Sequence, residues 1–450
     1  MIAILGGGIT AIAAAIELHK QGKDFVLIEM SDRLGGKIQS ANIDGYHLEF
    51  GPNTVLINHP ETKAFLEYLK LYDKRIEPNP KAIKRRFILK NGKPQAIPYS
   101  FGSLLKSKLI SLSTIFSILK EPFKKRVSVS VEESLADFSK RRFGDQIYED
   151  LITPFVSGIY AGDPEKMSLK YTMPLLNKAE ESYGSVVKGM PKLIKEKRAD
   201  LAEYDMPKQK IFSFKGGLVE MIDAAAAKIE GKYRLQSEVK KISRNGERYL
   251  FRIETNGKEE ILEVDKVIST IPAHILATKL EFDQGFSSAI GKINYVPAVV
   301  SHMAFKADQW KFKRESFGLL SRKQEAQPWL GILFNSEFFP QQQQTNDVLL
   351  TIISGGYRQP EILKKSDAEI LELLNGSINE IGLVEGKAVF SHLYRWEKAI
   401  PQYELGYSAI EKEIYDFQKA NPHFKIGGNY FKGVSVSDCI ANGTILAKEI

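Results

Sequence analysis

The chain opens Met1-Ile2-Ala3-Ile4-Leu5-Gly6-Gly7-Gly8-Ile9-Thr10-Ala11, and these residues, read with those that follow to Gly36, decide the fold. Ile2 to Leu5 is an apolar run that stops at three glycines, and Ala11 to Lys20 carries helix-forming residues with an apolar face. A strand is therefore predicted to enter a helix through a glycine turn. Val26 to Ile28 predicts a second strand, which delivers Glu29 about 20 positions after Gly6, the separation at which an acidic residue meets a ribose in dinucleotide-binding units. In that geometry Gly6 allows the tight turn, Gly8 lets backbone approach a pyrophosphate, and the small Ala11 lets helix and strand pack closely. The helix start, with Gly7, Gly8, Ile9 and Thr10, offers unpaired N–H groups and a partial positive charge to the phosphates, and Glu29 accepts both ribose hydroxyls.

Two further tight turns follow near the same strand ends. One is Arg33-Leu34-Gly35-Gly36-Lys37, directly after Glu29 and Met30; the other is Glu49-Phe50-Gly51-Pro52-Asn53-Thr54. NAD dehydrogenases do not usually need them. The combination resembles the FAD-containing amine oxidases, carotene desaturases and protoporphyrinogen oxidases, in which an arginine followed by paired glycines sits beneath the flavin diphosphate. By that resemblance the nucleotide is FAD, held by Gly6 to Ala11, Glu29, Met30, Arg33, Gly35, Gly36, Lys37 and Gly51 to Thr54. A plainer reading of Arg33, as a surface-turn arginine paired with a carboxylate, stays open.

Length predicts two or three domains with ample apolar content for a core. The single cysteine, Cys439, excludes an internal disulfide framework and a cysteine-built metal or iron–sulfur centre. With no basic-then-apolar leader at the N-terminus, the expected compartment is the cytoplasm. Leu109 to Leu119 is far short of the roughly 20 residues that span a bilayer. The net charge of +8 favours anionic lipid or a polycarboxylate substrate, and no nucleic-acid motif is present.

Further along, Glu61 to Tyr72 reads as a helix and Arg86 to Pro98 as a hairpin around Asn91-Gly92. Ser103 to Val127 mixes apolar residues with Lys106, Lys108, Lys120, Lys124, Lys125 and Arg126, predicting one or two amphipathic helices. These are either a membrane-surface patch at the mouth of an apolar channel or ordinary helices with a solvated basic face. Gly158 to Pro164 is predicted to be a loop from its glycines and Asp-Pro. Lys178 to Tyr204 is charged, helical and without an arguable site. After Phe212 to Leu218 come a helix to Ile229 and strands over Arg234 to Lys240, Tyr249 to Glu254 and Glu259 to Glu263. Val267 to Ile271 reads as a buried strand. Val299 to Phe305, Phe317 to Leu320, Trp329 to Asn335 and Val348 to Ser354 predict an antiparallel sheet. Gln341 to Gln344 is predicted to be a mobile polar loop. Gly427-Gly428 and Gly433 precede a last helix to Ile450, whose start again presents N–H groups.

Glu121-Pro122-Phe123, Arg141-Arg142-Phe143-Gly144 and the run Pro154 to Pro164 narrow the resemblance to the protoporphyrinogen oxidase branch, although no physical rule requires those residues. Ile400-Pro401-Gln402-Tyr403 matches a turn of that family, but Gly406-Tyr407 stands where the family commonly has Gly-His. What the resemblance implies is an FAD-dependent oxidation of protoporphyrinogen IX to protoporphyrin IX in haem synthesis, six electrons leaving in three flavin cycles with oxygen as acceptor. Coproporphyrinogen III is the alternative substrate. A flavin amine oxidase or carotenoid desaturase, and a non-enzymatic prenyl-binding escort protein, are the remaining alternatives. The later proton losses are favoured by the aromaticity being formed, so no protein acid, base or metal is assigned.

The resemblance further places backbone at Val239 on adenine and Val434, Ser435 and Val436 on the flavin. Lys106, Gly158, Tyr160 and Phe339 become the substrate candidates, Phe339 as a ring over the tetrapyrrole and Lys106 as a substitute cation, since Gly102 holds the register of the family's arginine. Ferrochelatase or a second copy of the chain is an implied partner, with peripheral contact at the cytoplasmic membrane. The expected fold is α/β: a Rossmann-like FAD-binding domain from 1–75, 211–275 and 385–450, a mainly helical insertion at 76–210, and a mixed-sheet substrate domain at 276–384.

Overall fold

The computed structural model describes residues 1–98, 102–103, 107–125, 132–207 and 210–450. Lys106 lies outside them, as does part of the basic segment Ser103 to Val127. The N-terminal reading holds: Ile2–Leu5 runs into the helix Ile9–Lys20 and on to the strand Phe25–Ile28. The helix persists because Ala13 to Ala15 cost little side-chain entropy and no proline interrupts it, and it ends where Gly22 turns at φ +68°.

Five parallel strands form the sheet around this unit, in the spatial order Phe424–Ile426, Lys266–Ser269, Ile2–Leu5, Phe25–Ile28 and Tyr233–Arg234. Period-two alternation sends Ile2 and Ile4 to one face and Ala3 and Leu5 to the other. The first face packs on the helices Ile9–Lys20, Val219–Lys228 and Val436–Glu449. The second packs on an antiparallel meander, Ser237–Asn245, Arg248–Thr255 and Lys258–Val264, and on helices that include Tyr407–Ala420.

A seven-stranded sheet follows the order Phe390–Pro401, Tyr295–Phe305, Val348–Gly355, Gly331–Leu333, Gly318–Ser321, Arg86–Lys90 and Lys93–Ala96. It is mixed, because Gly318–Ser321 pairs in parallel with Arg86–Lys90. Both the hairpin at 86–96 and the strand at 390–401 join it, so sheet membership crosses the expected boundaries at 76–210 and 385–450. One face lies on the helix Asp367–Glu380 through Leu319, Ile332, Ile352, Ile370, Leu374 and Ile378.

Three local expectations change. Gly158 to Tyr160 belong to the helix Thr153–Tyr160, and the loop begins at Ala161, whose left-handed φ of 50° ends that helix. The polar tract at 341–344 is anchored, since buried Gln342 donates to Ser213 Oγ at 3.1 Å and to the Phe214 carbonyl at 2.8 Å. The charged stretch at 178–204 divides into two helices at Gly184, φ +70°.

The helical insertion is held by charges in its interior. Glu121 and Arg142 are both fully buried and pair at 2.6 Å. Glu121 also accepts from Ser185 Oγ at 2.6 Å and from the N–H groups of Val186 and Val187, so it caps the helix Val186–Asp200. Arg141 spans Glu133 and Glu180 at 2.8 Å each. Among the described residues no helix is long and apolar enough to cross a membrane.

Removing one partner from a buried pair leaves an uncompensated charge. Arg142→Met should therefore cost about 3–5 kcal/mol in chemical denaturation. The double change with Glu121→Leu should recover only part of it, because the N–H groups at Val186 and Val187 lose their acceptor.

Candidate functional site

Three chain segments meet at the start of the first helix with almost no side chains between them. Gly6 turns at φ +96°, and a Cβ there would lie 3.1 Å from Thr270 Oγ1. The Gly7 N–H donates to Glu29 Oε2 at 2.5 Å, and Gly35 N–H donates to the Gly7 carbonyl at 2.8 Å. A Cβ on Gly36 would sit 3.1 Å from Gly8 Cα, and one on Gly51 would collide with the Lys37 carbonyl. Gly8 differs: a Cβ there meets nothing within 4 Å. It is the N-cap of Ile9–Lys20, and no side chain caps that helix. Open space thus faces the unpaired N–H groups of the first turn, which is what an anionic diphosphate requires.

Around this opening the residues named from sequence are distributed unevenly. Glu29 stands at the strand end, its Oε1 taking hydrogen bonds from Ser31 N–H (2.8 Å) and Ser31 Oγ (2.7 Å). With Gly7 on Oε2, three of about four acceptor sites are used, which leaves room for one ribose hydroxyl rather than two. Met30 is exposed beside it. Ser237 N–H bonds the Glu29 carbonyl, which brings Val239 close by, and a bulge between Val239 and Lys241 breaks the ladder there. Arg33 spends its donors on its own loop, at the carbonyls of Leu34, Gly36 and Ile38 and at Gln39 Oε1. The surface-turn reading, in which it pairs with a carboxylate, is replaced by this organising role. Pro52 and Thr54 are half-buried, and Asn53 Oδ1 accepts from Asn335 at 2.9 Å.

The last helix closes the same site. Ser435 caps it in a reciprocal box with Asp438, and Asp438 also receives His59 Nε2 at 2.9 Å. Burial opposes its charge, but the bonds from His59 and Ser435 hold the carboxyl below its usual range. The helix lies against the first one at Gly443, where a Cβ would collide with the Thr10 carbonyl. Val434, Ser435 and Val436 are half-exposed at its start. Asn442, nearly buried, has no partner for either amide atom and points at Gly427.

Lys37 reaches away from Gly8. Its Nζ donates to the Lys398 carbonyl at 2.7 Å and lies over Trp396, 5.1 Å from the ring centroid. Burial without a carboxylate lowers its pKa to about 8. Trp396 Nε1 donates to the Phe50 carbonyl, and Phe50, Tyr394 and Trp396 form an aromatic wall with ring separations of 5.0 and 4.8 Å.

This wall borders the second face of the seven-stranded sheet. Cross-strand pairing aligns Ile88, Leu320, Gly331, Ile353, Val300 and Tyr394 in one row. The next row holds Arg86, Gly318, Leu333, Thr351, His302 and His392. Leu333, Ile353 and Tyr394 remain half-exposed and, with Leu320, which the helical insertion covers, make an apolar floor. Gly158 lets the helix Thr153–Tyr160 come down on it, since a Cβ there would press on Leu320. Tyr160 donates to the Thr172 carbonyl at 3.0 Å, and burial raises its pKa to about 12. Phe339 belongs to a buried cluster against which the floor residue Leu333 packs. It is 1% exposed and packs with Phe338 and Ala82, so the Phe-Pro step serves the core and the ring assignment is withdrawn.

The cation that sequence reading missed is Arg86. It lies over the Phe317 ring at 4.7 Å, and crowding by protein lowers its pKa even though the residue is exposed. Among the described residues no carboxylate pairs with it. The signal was present in the alternation of Arg86 with Ile88, which puts both on one face. His302, wholly buried in the same row, is held neutral, its pKa lowered to about 3 by burial.

The chain matches the family described as flavin containing amine oxidoreductase over residues 12–450. It is 31% identical to protoporphyrinogen oxidase 2, chloroplastic/mitochondrial, of Arabidopsis thaliana, across 98% of this chain and 92% of that one. It is 26% identical to coproporphyrinogen III oxidase of Bacillus subtilis (strain 168), across 98% and 96%. In fold it is similar to a crystal structure from Exiguobacterium sp. 255-15, provisionally assigned as a protoporphyrinogen oxidase, with a TM-score of 0.80, 21% identity and coverage of 99% and 97%.

Gly8→Ala should keep the thermal stability of the parent, since its Cβ meets nothing, yet lose bound dinucleotide by absorbance. Gly443→Ala should do the reverse, lowering the melting temperature while nucleotide is retained. Lys37 is charged below about pH 8 and discharged as pH rises through that value. A change in the visible spectrum of bound nucleotide is expected on raising pH from 7 to 9, and it should vanish in Lys37→Met.

Proposed function

Because the chain belongs to the flavin containing amine oxidoreductase family, on its protoporphyrinogen oxidase branch, we propose that it oxidises protoporphyrinogen IX to protoporphyrin IX with oxygen as electron acceptor. It is an FAD-dependent oxidoreductase, and the carrying observation is the open, uncapped helix start at Gly8 set beside an apolar floor that ends in Arg86, which has no carboxylate partner among the described residues. The donor set suits FAD: helix N–H groups at Gly8 to Ala11 for the diphosphate, Glu29 for a ribose hydroxyl, and the capped start of the last helix for the ring. The unit that holds it is built from 1–75, 211–275 and the part of 385–450 that follows the strand Phe390–Pro401.

When bound, FAD supplies the two-electron acceptor, and three turnovers account for the six electrons lost. The chain itself orients and dries the substrate. Leu333 and Ile353 present an apolar surface to a macrocycle, with the wall of Phe50, Tyr394 and Trp396 at one side and the helix of Gly158 and Tyr160, seated on Leu320, at the other. Arg86 binds propionate at the far edge. Gly102 and Lys106 are not needed for that role.

One unpaired arginine on the floor, among the described residues, suits a substrate with two neighbouring propionates better than one with four, which favours protoporphyrinogen IX. Coproporphyrinogen III remains the second reading, favoured by the Bacillus relative. The helix Leu112–Lys120 turns Leu112, Phe116 and Leu119 outward, Phe123 is 83% exposed, and Lys188 lies over the Phe123 ring. This lysine-edged apolar face supports peripheral contact with an anionic membrane surface.

The deciding assay is porphyrin fluorescence in air from protoporphyrinogen IX and coproporphyrinogen III in separate cuvettes. Faster turnover of the first supports the proposal, preference for the second replaces it with the alternative, and silence with both overturns it. Arg86→Ala should raise KM about 10- to 100-fold with kcat nearly unchanged, the loss of one charge-assisted contact made equally in ground and transition states.

A further inference from the structure

This inference rests on the FAD reading above and concerns the loop Asn429–Gly433, which leads through Val434 into the cap of the last helix. The loop lacks regular structure. Gly428, Lys432 and Gly433 all have positive φ (116°, 64° and 118°), so its own backbone preferences do not define one shape. Two buried phenols do. Tyr403 donates its hydroxyl to the Asn429 carbonyl at 2.9 Å and accepts from the Gly433 N–H at 3.2 Å, joining both ends of the loop through one oxygen. Tyr407 donates to the carbonyl of Tyr430. Both side chains are 3% exposed, and their rings pack edge to face at 4.9 Å.

The turn that carries these tyrosines is itself fixed from the other side. Ser168 N–H donates to the Tyr403 carbonyl at 2.9 Å, Leu405 N–H donates to the Lys166 carbonyl at 2.8 Å, and Gln402 Nε2 donates to the Tyr160 carbonyl at 2.9 Å. Residues 402–407 thus span from the segment that roofs the apolar floor to the loop that ends at Ser435.

We propose that Tyr403 and Tyr407 are positioning residues for the flavin. Their hydroxyls set the conformation of Asn429–Gly433 and so the placement of the helix start at Ser435, whose partial positive charge favours negative charge on a reduced ring. Replacing either hydroxyl leaves a buried carbonyl unpaired and frees the loop, while the ring that fills the core is kept.

The test uses the full-length holoenzyme with Tyr403→Phe, Tyr407→Phe, both together, and Tyr171→Phe as the comparison. Tyr171 packs on the same two rings, but its hydroxyl bonds Glu411 at 2.7 Å and does not touch the loop. The readouts are the FAD dissociation constant, the flavin midpoint potential and the melting temperature. Each of the first two variants should weaken FAD about tenfold and move the potential to more negative values. The double variant should fall short of the product of the singles, since both act on one loop. Tyr171→Phe should leave affinity and potential unchanged. The proposal is overturned if the loop variants lower only the melting temperature, or if Tyr171→Phe shifts the flavin as much as they do. If Tyr403→Phe does not fold, Tyr407→Phe decides alone. A parent protein that binds no flavin would instead remove the FAD reading itself.

Discussion

Close approach of bare backbone is the constraint on which the molecule depends. At Gly8 and Gly36, at Gly51 and the Lys37 carbonyl, and at Gly443 and the Thr10 carbonyl, chain segments far apart in sequence pass at distances that leave no room for a Cβ on one partner. Two of these crossings fix the Gly36 turn and the last helix against the first helix, the third fixes Gly51 on the Lys37 carbonyl, and Gly8 is left facing open space. The same crossings set the last helix against the first, so the two helix starts that present N–H groups share one side of the parallel sheet.

How much of this was legible depended on the range of the interaction. Period-two alternation and glycine placement are local, and they located the first strand, the second strand and Glu29 within a residue of their observed bounds. Val267 to Ile271 was legible as a buried strand, and its neighbour, the first strand, is set by a long-range pairing at Lys266–Ser269 that periodicity does not carry. Gly158 misled because glycine normally breaks helices. In this fold its missing side chain admits a strand residue, Leu320, from 162 positions later in the chain. Phe339 was misplaced because a Phe-Pro step carries no information about which way the ring points. Arg86 was passed over in a run with Lys84 and Arg85, where nothing local distinguishes one cation from the next.

Glu121 and Arg142 show a third kind of illegibility. Their segments were noticed in the sequence without a physical reason, and the structure supplies one: a fully buried ion pair whose carboxylate also caps a helix more than sixty residues away. Such a pair is marginal as a source of stability but strict in geometry, because either charge alone is costly where it lies. It ties the amphipathic helix to the helices beneath it. The helix is thereby held with its inner side on Ile88 and Leu320 and its outer side in solvent.

The order of strands in the parallel sheet has a consequence for how the protein is made. Ile2–Leu5 leaves the ribosome well before its neighbour at Lys266–Ser269, more than 250 residues later, and the helix that completes the flavin side follows later still. At roughly 5–20 residues per second, translation takes on the order of a minute, and for most of it the first helix has no partner at Gly443. The first strand and helix therefore wait long for their native surroundings. Until the last helix is made, the first helix lacks its partner at Gly443 and the strand Ile2–Leu5 presents an unpaired edge, a natural client for chaperones.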